Sequence, residues 1–183
     1  MNKILLVYYS RTGYTAAIAK DLANAGGWDV EQIHDHHSRA GAWGFLRCIF
    51  DVLLGRRPAI QPTAKNPGDY ALVVLGAPVW MGRLSAPIRT YIAQRRQQFS
   101  RIAFFCTYGG KGAEHAAQQC ATFAGRHLAA TLAITDTEID LGRYWDRLGE
   151  FQRRIAELTS VQAASIRAVD DPGQGGLRAH LIG

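Results

Sequence analysis

Ile4-Leu5-Leu6-Val7-Tyr8-Tyr9-Ser10-Arg11-Thr12-Gly13-Tyr14-Thr15 decides the fold of this 183-residue chain. A short apolar run ends abruptly in hydroxyl-bearing residues and glycine. An amphipathic stretch over residues 12–25 follows, with Ala16, Ala19, Leu22 and Ala23 at helical spacing. The apolar run is far below the ~18–20 residues that a membrane span requires, and no small-residue cleavage site follows it as in a signal peptide. It predicts a buried strand, a tight turn, and a helix that Gly26-Gly27 brings to an end.

Outward from this unit the same alternation repeats. Residues 28–34 read as a short edge strand, and Tyr70-Ala71-Leu72-Val73-Val74-Leu75-Gly76 as the clearest buried central strand. Residues 86–97 predict a helix, 101–107 a strand, 113–128 a helix and 129–135 the last strand. A final helix over 144–159 carries Trp145, Leu148, Phe151, Ile155 and Leu158 on one face. Strands alternating with amphipathic helices predict an α/β fold: a doubly wound five-stranded parallel sheet covered on both faces. Between the second and third strands, residues 40–54 (Trp43, Leu46, Ile49, Phe50, Leu53 and Leu54 among arginines) predict an extra helix that packs on the core. Residues 1–160 read as one domain and 161–183, with Pro172 and glycines, as a C-terminal tail.

The bulk composition narrows the functional classes. An apolar fraction of 48% and a charged fraction of 20% are those of an ordinary globular domain. Cys48, Cys106 and Cys120 have neither disulfide-framework nor zinc spacing, so a cytoplasmic setting is expected. Cys106 lies in an apolar run and reads as a small core residue. His34, His36 and His37 read as a solvated loop, because one short segment rarely supplies a closed metal site. The net charge is +6, with five arginines and no acid between Gly82 and Arg101, yet no nucleic-acid motif accompanies it. A solvated helix face or a docking surface for an anionic partner or cofactor both fit that stretch.

Three loops follow predicted strands. Ser10-Arg11-Thr12-Gly13-Tyr14-Thr15 opens a helix, where free N–H groups, the helix dipole and hydroxyl donors suit an anion. The lysine of a triphosphate loop and the glycine pattern of a dinucleotide loop are both missing, which leaves a cradle for a phosphomonoester or a ligand-free Ser/Thr cap. Gly76-Ala77-Pro78-Val79-Trp80-Met81-Gly82 offers a tryptophan from a stiffened loop, to stack on a flat heterocycle or to plug the sheet end. Thr107-Tyr108-Gly109-Gly110-Lys111-Gly112 combines close backbone approach with a second aromatic surface, or is a plain glycine-rich turn. With a strand order 2-1-3-4-5, all three meet beside the topological switch point.

On these segments, together with Leu84-Ser85-Ala86-Pro87-Ile88-Arg89, the chain resembles the flavodoxin-like superfamily over roughly residues 3–158. The resemblance implies FMN as cofactor. Ser10, Arg11, Thr12, Gly13, Tyr14 and Thr15 would hold its phosphate, and Pro78, Val79, Trp80, Met81 and Gly82 would line one side of the ring. Thr107, Tyr108, Gly109, Gly110, Lys111 and Gly112 would approach its pyrimidine end. Electron-carrier flavodoxins are usually acidic. This chain is basic, with a glycine-rich third loop, and in that is more similar to the NAD(P)H-linked quinone reductases of the superfamily. The resemblance therefore implies an oxidoreductase that takes electrons from NAD(P)H and passes them to a quinone or similar acceptor. A one-electron carrier serving a redox partner protein, and a binding module that has lost its flavin, are the alternatives. No catalytic acid or metal is required, and there is room for a homo-oligomer. Arg83 and Arg89 are candidates for the 2′-phosphate of NADPH or for partner carboxylates.

Overall fold

The computed structural model describes residues 3–35 and 58–170, with side chains through residue 160. The predicted helix at 40–54 lies outside the described residues. In chain order the elements are β1 (Ile4–Tyr8), α1 (Tyr14–Gly26), β2 (Asp29–Gln32), β3 (Leu72–Trp80), β4 (Arg83–Leu84) and α2 (Ala86–Arg95). They continue with β5 (Ile102–Tyr108), α3 (Ala113–Ala124), β6 (Leu128–Thr135), α4 (Asp136–Asp140) and α5 (Trp145–Asp170). The sheet order is β2-β1-β3-β5-β6, all parallel, and the short β4 pairs antiparallel with the end of β3. With β4 set aside, this is the expected 2-1-3-4-5 arrangement.

Alternation along the central strands builds two cores. Leu5, Val7, Val73, Leu75 and Phe104 face α2 and α3, where they meet Ile88, Tyr91, Ala116 and Cys120. Leu6, Leu72, Val74, Ala103 and Phe105 face the other way, toward Ile18 and Leu22 of α1 and Leu148, Phe151 and Ile155 of α5. Each fully buried aliphatic or aromatic side chain contributes about 1.5–3 kcal/mol. Gly76 has no side chain to spare at this level. A Cβ there would lie 2.2 Å from the Phe105 ring and 2.9 Å from Tyr8 Cβ, so neighbouring strands fill its place.

Of the predicted helix ends, those at 128 and 159 shift the most. α3 stops at Ala124, and Leu128 instead opens β6 opposite Ile102. The last helix does not end at residue 159 but runs on to Asp170. The strand tops are staggered: β1 makes its last pair at Tyr8 opposite Gly76, while β3 continues to Trp80. Those extra residues project roughly 13 Å past β1. Among the described residues no helix is long and apolar enough to cross a membrane.

Candidate functional site

The loop after β1 is shaped by its own first residue. Ser10 Oγ accepts from the N–H of Gly13 at 3.3 Å and of Ala16 at 3.2 Å. It thereby caps α1, whose N-cap position, Gly13, has no side chain to do so. The first turn of α1 carries no acidic residue, so its dipole is left unneutralised within the turn. Thr12 and Gly13 are exposed, while Ser10, Arg11 and Tyr14 are half-buried. Thr15 is buried, its hydroxyl 2.8 Å from that of Thr107, which is buried at the end of β5. This bond ties the start of α1, which follows the first loop, to the end of β5, which precedes the third.

Most of the second segment is strand, where the sequence pattern suggested a loop. β3 runs through Pro78 to Trp80, and Pro78 keeps register with Thr107 of β5. Proline is tolerated there for a geometric reason. The Gly76 carbonyl accepts from Tyr9 N–H on the β1 side, and Pro78, two residues on, faces the same flank. β1 has already made its last pair, so the missing N–H breaks no ladder bond. Met81 and Gly82, with φ of 52° and 69°, form the two-residue left-handed turn that suits a hairpin. The chain then returns as β4, with Trp80 opposite Arg83 and Val79 opposite Leu84. The Trp80 ring is half-buried and stands edge-on to Tyr9, with centroids 6.0 Å apart and an interplanar angle of 87°. Met81 is 69% exposed.

The third loop meets this hairpin backbone to backbone. Gly112 has φ of 98°, and a Cβ on it would lie only 2.3 Å from Gly82 Cα. The two segments enclose a cleft of about 430 Å³, with Val79, Trp80, Met81 and Gly82 on one side and Gly109, Gly110 and Lys111 on the other. Tyr108 is half-buried and Lys111 exposed. Acidic groups border the crevice elsewhere: Tyr14 donates to Asp140 at 3.2 Å, and Asp136 Oδ2 lies 3.3 Å from where a Gly109 Cβ would be. Burial, followed by the charge of Asp140, raises the Asp136 carboxyl above its ordinary value. The hydrogen bond to Asp140 likewise raises the Tyr14 phenol.

The sequence reading passed over Tyr9, Asp136 and Asp140. Tyr9 extends the first strand's apolar pattern and gives no separate signal, yet its ring supports Trp80 and its hydroxyl donates to Asp35 at 3.2 Å. The two aspartates sit in a five-residue helix too short for periodicity to reveal. Arg83 is exposed, but Arg89 is only 9% exposed within α2, so the two do not form one surface. Cys106 and Cys120 are buried, and burial pushes the Cys106 thiol up to about 12, consistent with a core role. Of the histidine cluster, His34 is described and its carbonyl accepts from Gln61 N–H; His36 and His37 lie outside the described residues.

The fold and the loops at the switch point define a flavodoxin-like protein. The chain belongs to the flavodoxin family, whose family model matches residues 3–127. Among solved structures it is similar to a flavoprotein in complex with FMN from Lactobacillus acidophilus NCFM, with 22% identity and a TM-score of 0.65 over 76% of this chain and 97% of that one. A candidate flavoprotein from Bacteroides eggerthii DSM 20697 is 25% identical, with a TM-score of 0.63 over 81% of this chain and 99% of that one. Rubredoxin oxygen:oxidoreductase from Desulfovibrio gigas shares the fold at 18% identity and a TM-score of 0.56, over 90% of this chain and 37% of that larger one. No curated protein matches the chain by sequence.

Proposed function

We propose that the crevice at the ends of β1, β3 and β5 binds FMN and that the protein is an FMN-dependent oxidoreductase working in the cytoplasm. The observation that carries the reading is the meeting of a helix-N-terminal hydroxyl loop with a glycine-on-glycine cleft beside a half-exposed tryptophan. In this reading Ser10, Arg11, Thr12, Gly13 and Tyr14 hold the phosphate, and Thr15 and Thr107 fix the floor beneath it. Pro78, Val79, Trp80, Met81 and Gly82 form one wall for the ring; Tyr108, Gly109, Gly110, Lys111 and Gly112 form the other. The chain's residues fit the group: the donor set at α1 suits an anion, and Gly112 lets the two walls of the cleft meet where a Cβ would collide with Gly82.

Bound FMN supplies the redox chemistry, and the protein sets its position and potential. Lys111 at the cleft and the net charge of +6 favour accumulation of negative charge near the ring. That supports electron uptake from NAD(P)H and delivery to a quinone or similar acceptor. A one-electron carrier is the second reading, favoured by Met81, an exposed apolar side chain at the mouth of the cleft where a redox partner protein would touch.

Titration of the purified protein with FMN, followed by flavin fluorescence, tests the binding; absence of saturable binding sinks the cofactor reading. An anaerobic titration of the loaded protein, first with NADPH and then with dithionite, separates the two functions. Bleaching by NADPH supports the oxidoreductase, whereas bleaching by dithionite alone supports the carrier.

A further inference from the structure

We propose that Gln119, on α3 and outside all three loops, is a positioning residue that holds the Trp80 wall of the cleft in place. The case begins with β4, which is only two residues long. In a hairpin closed by a two-residue left-handed turn, Trp80 and Arg83 form the hydrogen-bonded pair. The next pair, Val79 and Leu84, turns its N–H and C=O groups away from each other. The Leu84 N–H therefore points out of the hairpin, and Leu84 is fully buried. Without an acceptor, this would be an orphaned buried donor.

Gln119 supplies that acceptor. Its Oε1 lies 2.9 Å from Leu84 N. The assignment of the amide follows from this contact, since only its oxygen can accept from an N–H. Its Nε2 then faces His115 Nε2 at 3.0 Å, one helical turn back. α3 thus grips the hairpin at two points. Gly112, at its start, abuts Gly82 at the tip; Gln119, two turns on, holds the returning strand. His115 in turn fixes the Gln119 rotamer. Trp80 and Met81 lie between these two points and cannot swing without breaking one of them.

The inference rests on the FMN reading for its functional consequence, but its structural part is measurable in the protein without FMN. Hydrogen exchange is followed at the Leu84 amide, alongside amides of β1 and β5 as internal references. In Gln119→Leu the Leu84 amide exchanges about tenfold faster or more while the β1 and β5 amides keep their rates. FMN affinity falls about tenfold. Gln119→Glu, which keeps the acceptor, restores slow exchange at Leu84. His115→Ala produces a smaller change in the same direction, and the double variant with Gln119→Leu is no worse than Gln119→Leu alone, because the histidine acts through the glutamine. Exchange at Leu84 and FMN affinity both within twofold of wild type in Gln119→Leu overturn the proposal, as does a uniform rise in exchange across β1 and β5. If the unaltered protein binds no FMN but Leu84 still responds, the cofactor reading fails and the hold on the hairpin stands.

Discussion

A methyl group is enough to test the cleft at the scale of one residue. Gly112 combines a left-handed φ of 98° with a backbone neighbour where its Cβ would be, so alanine there meets both conformational strain and a collision that no side-chain rotation relieves. Gly112→Ala should cost about 1–3 kcal/mol of stability and weaken FMN binding by more than tenfold. A melting curve and an FMN titration check both effects; unchanged affinity would show that the second and third segments need not touch. The glycines were legible in sequence as a site of close approach, but not what approached them, since the partner lies 30 positions away in the chain. Pro78 shows the opposite error. Proline and glycine beside a tryptophan read as loop, and only the early end of β1 explains why a proline can sit in β3.

Among the described α-helices, α4 is the shortest and carries a full capping box. Thr135 Oγ1 accepts from Glu138 N–H at 3.1 Å, while Glu138 Oε2 accepts from the N–H and the hydroxyl of Thr135, each at 2.8 Å. Arg147 closes on the other carboxylate oxygen at 2.6 Å. The Thr135 N–H, and then its hydroxyl and Arg147, hold the Glu138 carboxyl below its ordinary 4.5. A carboxyl lowered in the folded state contributes its full stabilisation above the unfolded value and loses it as pH falls through the folded one. Glu138→Gln should therefore cost about 1 kcal/mol or less at pH 7. That deficit should begin to shrink below about pH 4.5, where the carboxyl of the unfolded chain becomes protonated, and be lost as pH falls through the lower folded value; a deficit equal at pH 7 and pH 3 in urea unfolding contradicts the assignment. Long elements were the legible ones. The apolar face of α5 was plain through Leu158, yet its continuation to Asp170 was not, because the small and polar residues that follow lack the large apolar spacing on which the helix reading relied.

Over the whole molecule, charge is what sets this chain apart from an acidic electron carrier. A lysine about 7 Å from a developing negative charge contributes roughly 0.6–2.4 kcal/mol at an effective dielectric of ~20–80. Lys111→Ala should accordingly lower the one-electron potential of the FMN-loaded protein by about 25–100 mV, read against reference dyes. An unmoved potential would mean that the ammonium group points into water. Topology was readable at this scale because alternation predicts a doubly wound parallel sheet and the flavodoxin-like resemblance implies its 2-1-3-4-5 order. The stagger of their ends was not, since length beyond the last shared pair leaves no mark in hydrophobic pattern. That stagger has a thermodynamic consequence. Because β3 outreaches β1, the tryptophan wall belongs to the sheet's own hydrogen-bonded lattice, paired with β5 through Pro78 and closed by a hairpin. Its entropy is surrendered when the chain folds, so a flat guest need not immobilise a floppy arm on arrival. If FMN binds there as proposed, the wall would select by fit to a rigid slot instead of by closing over what enters.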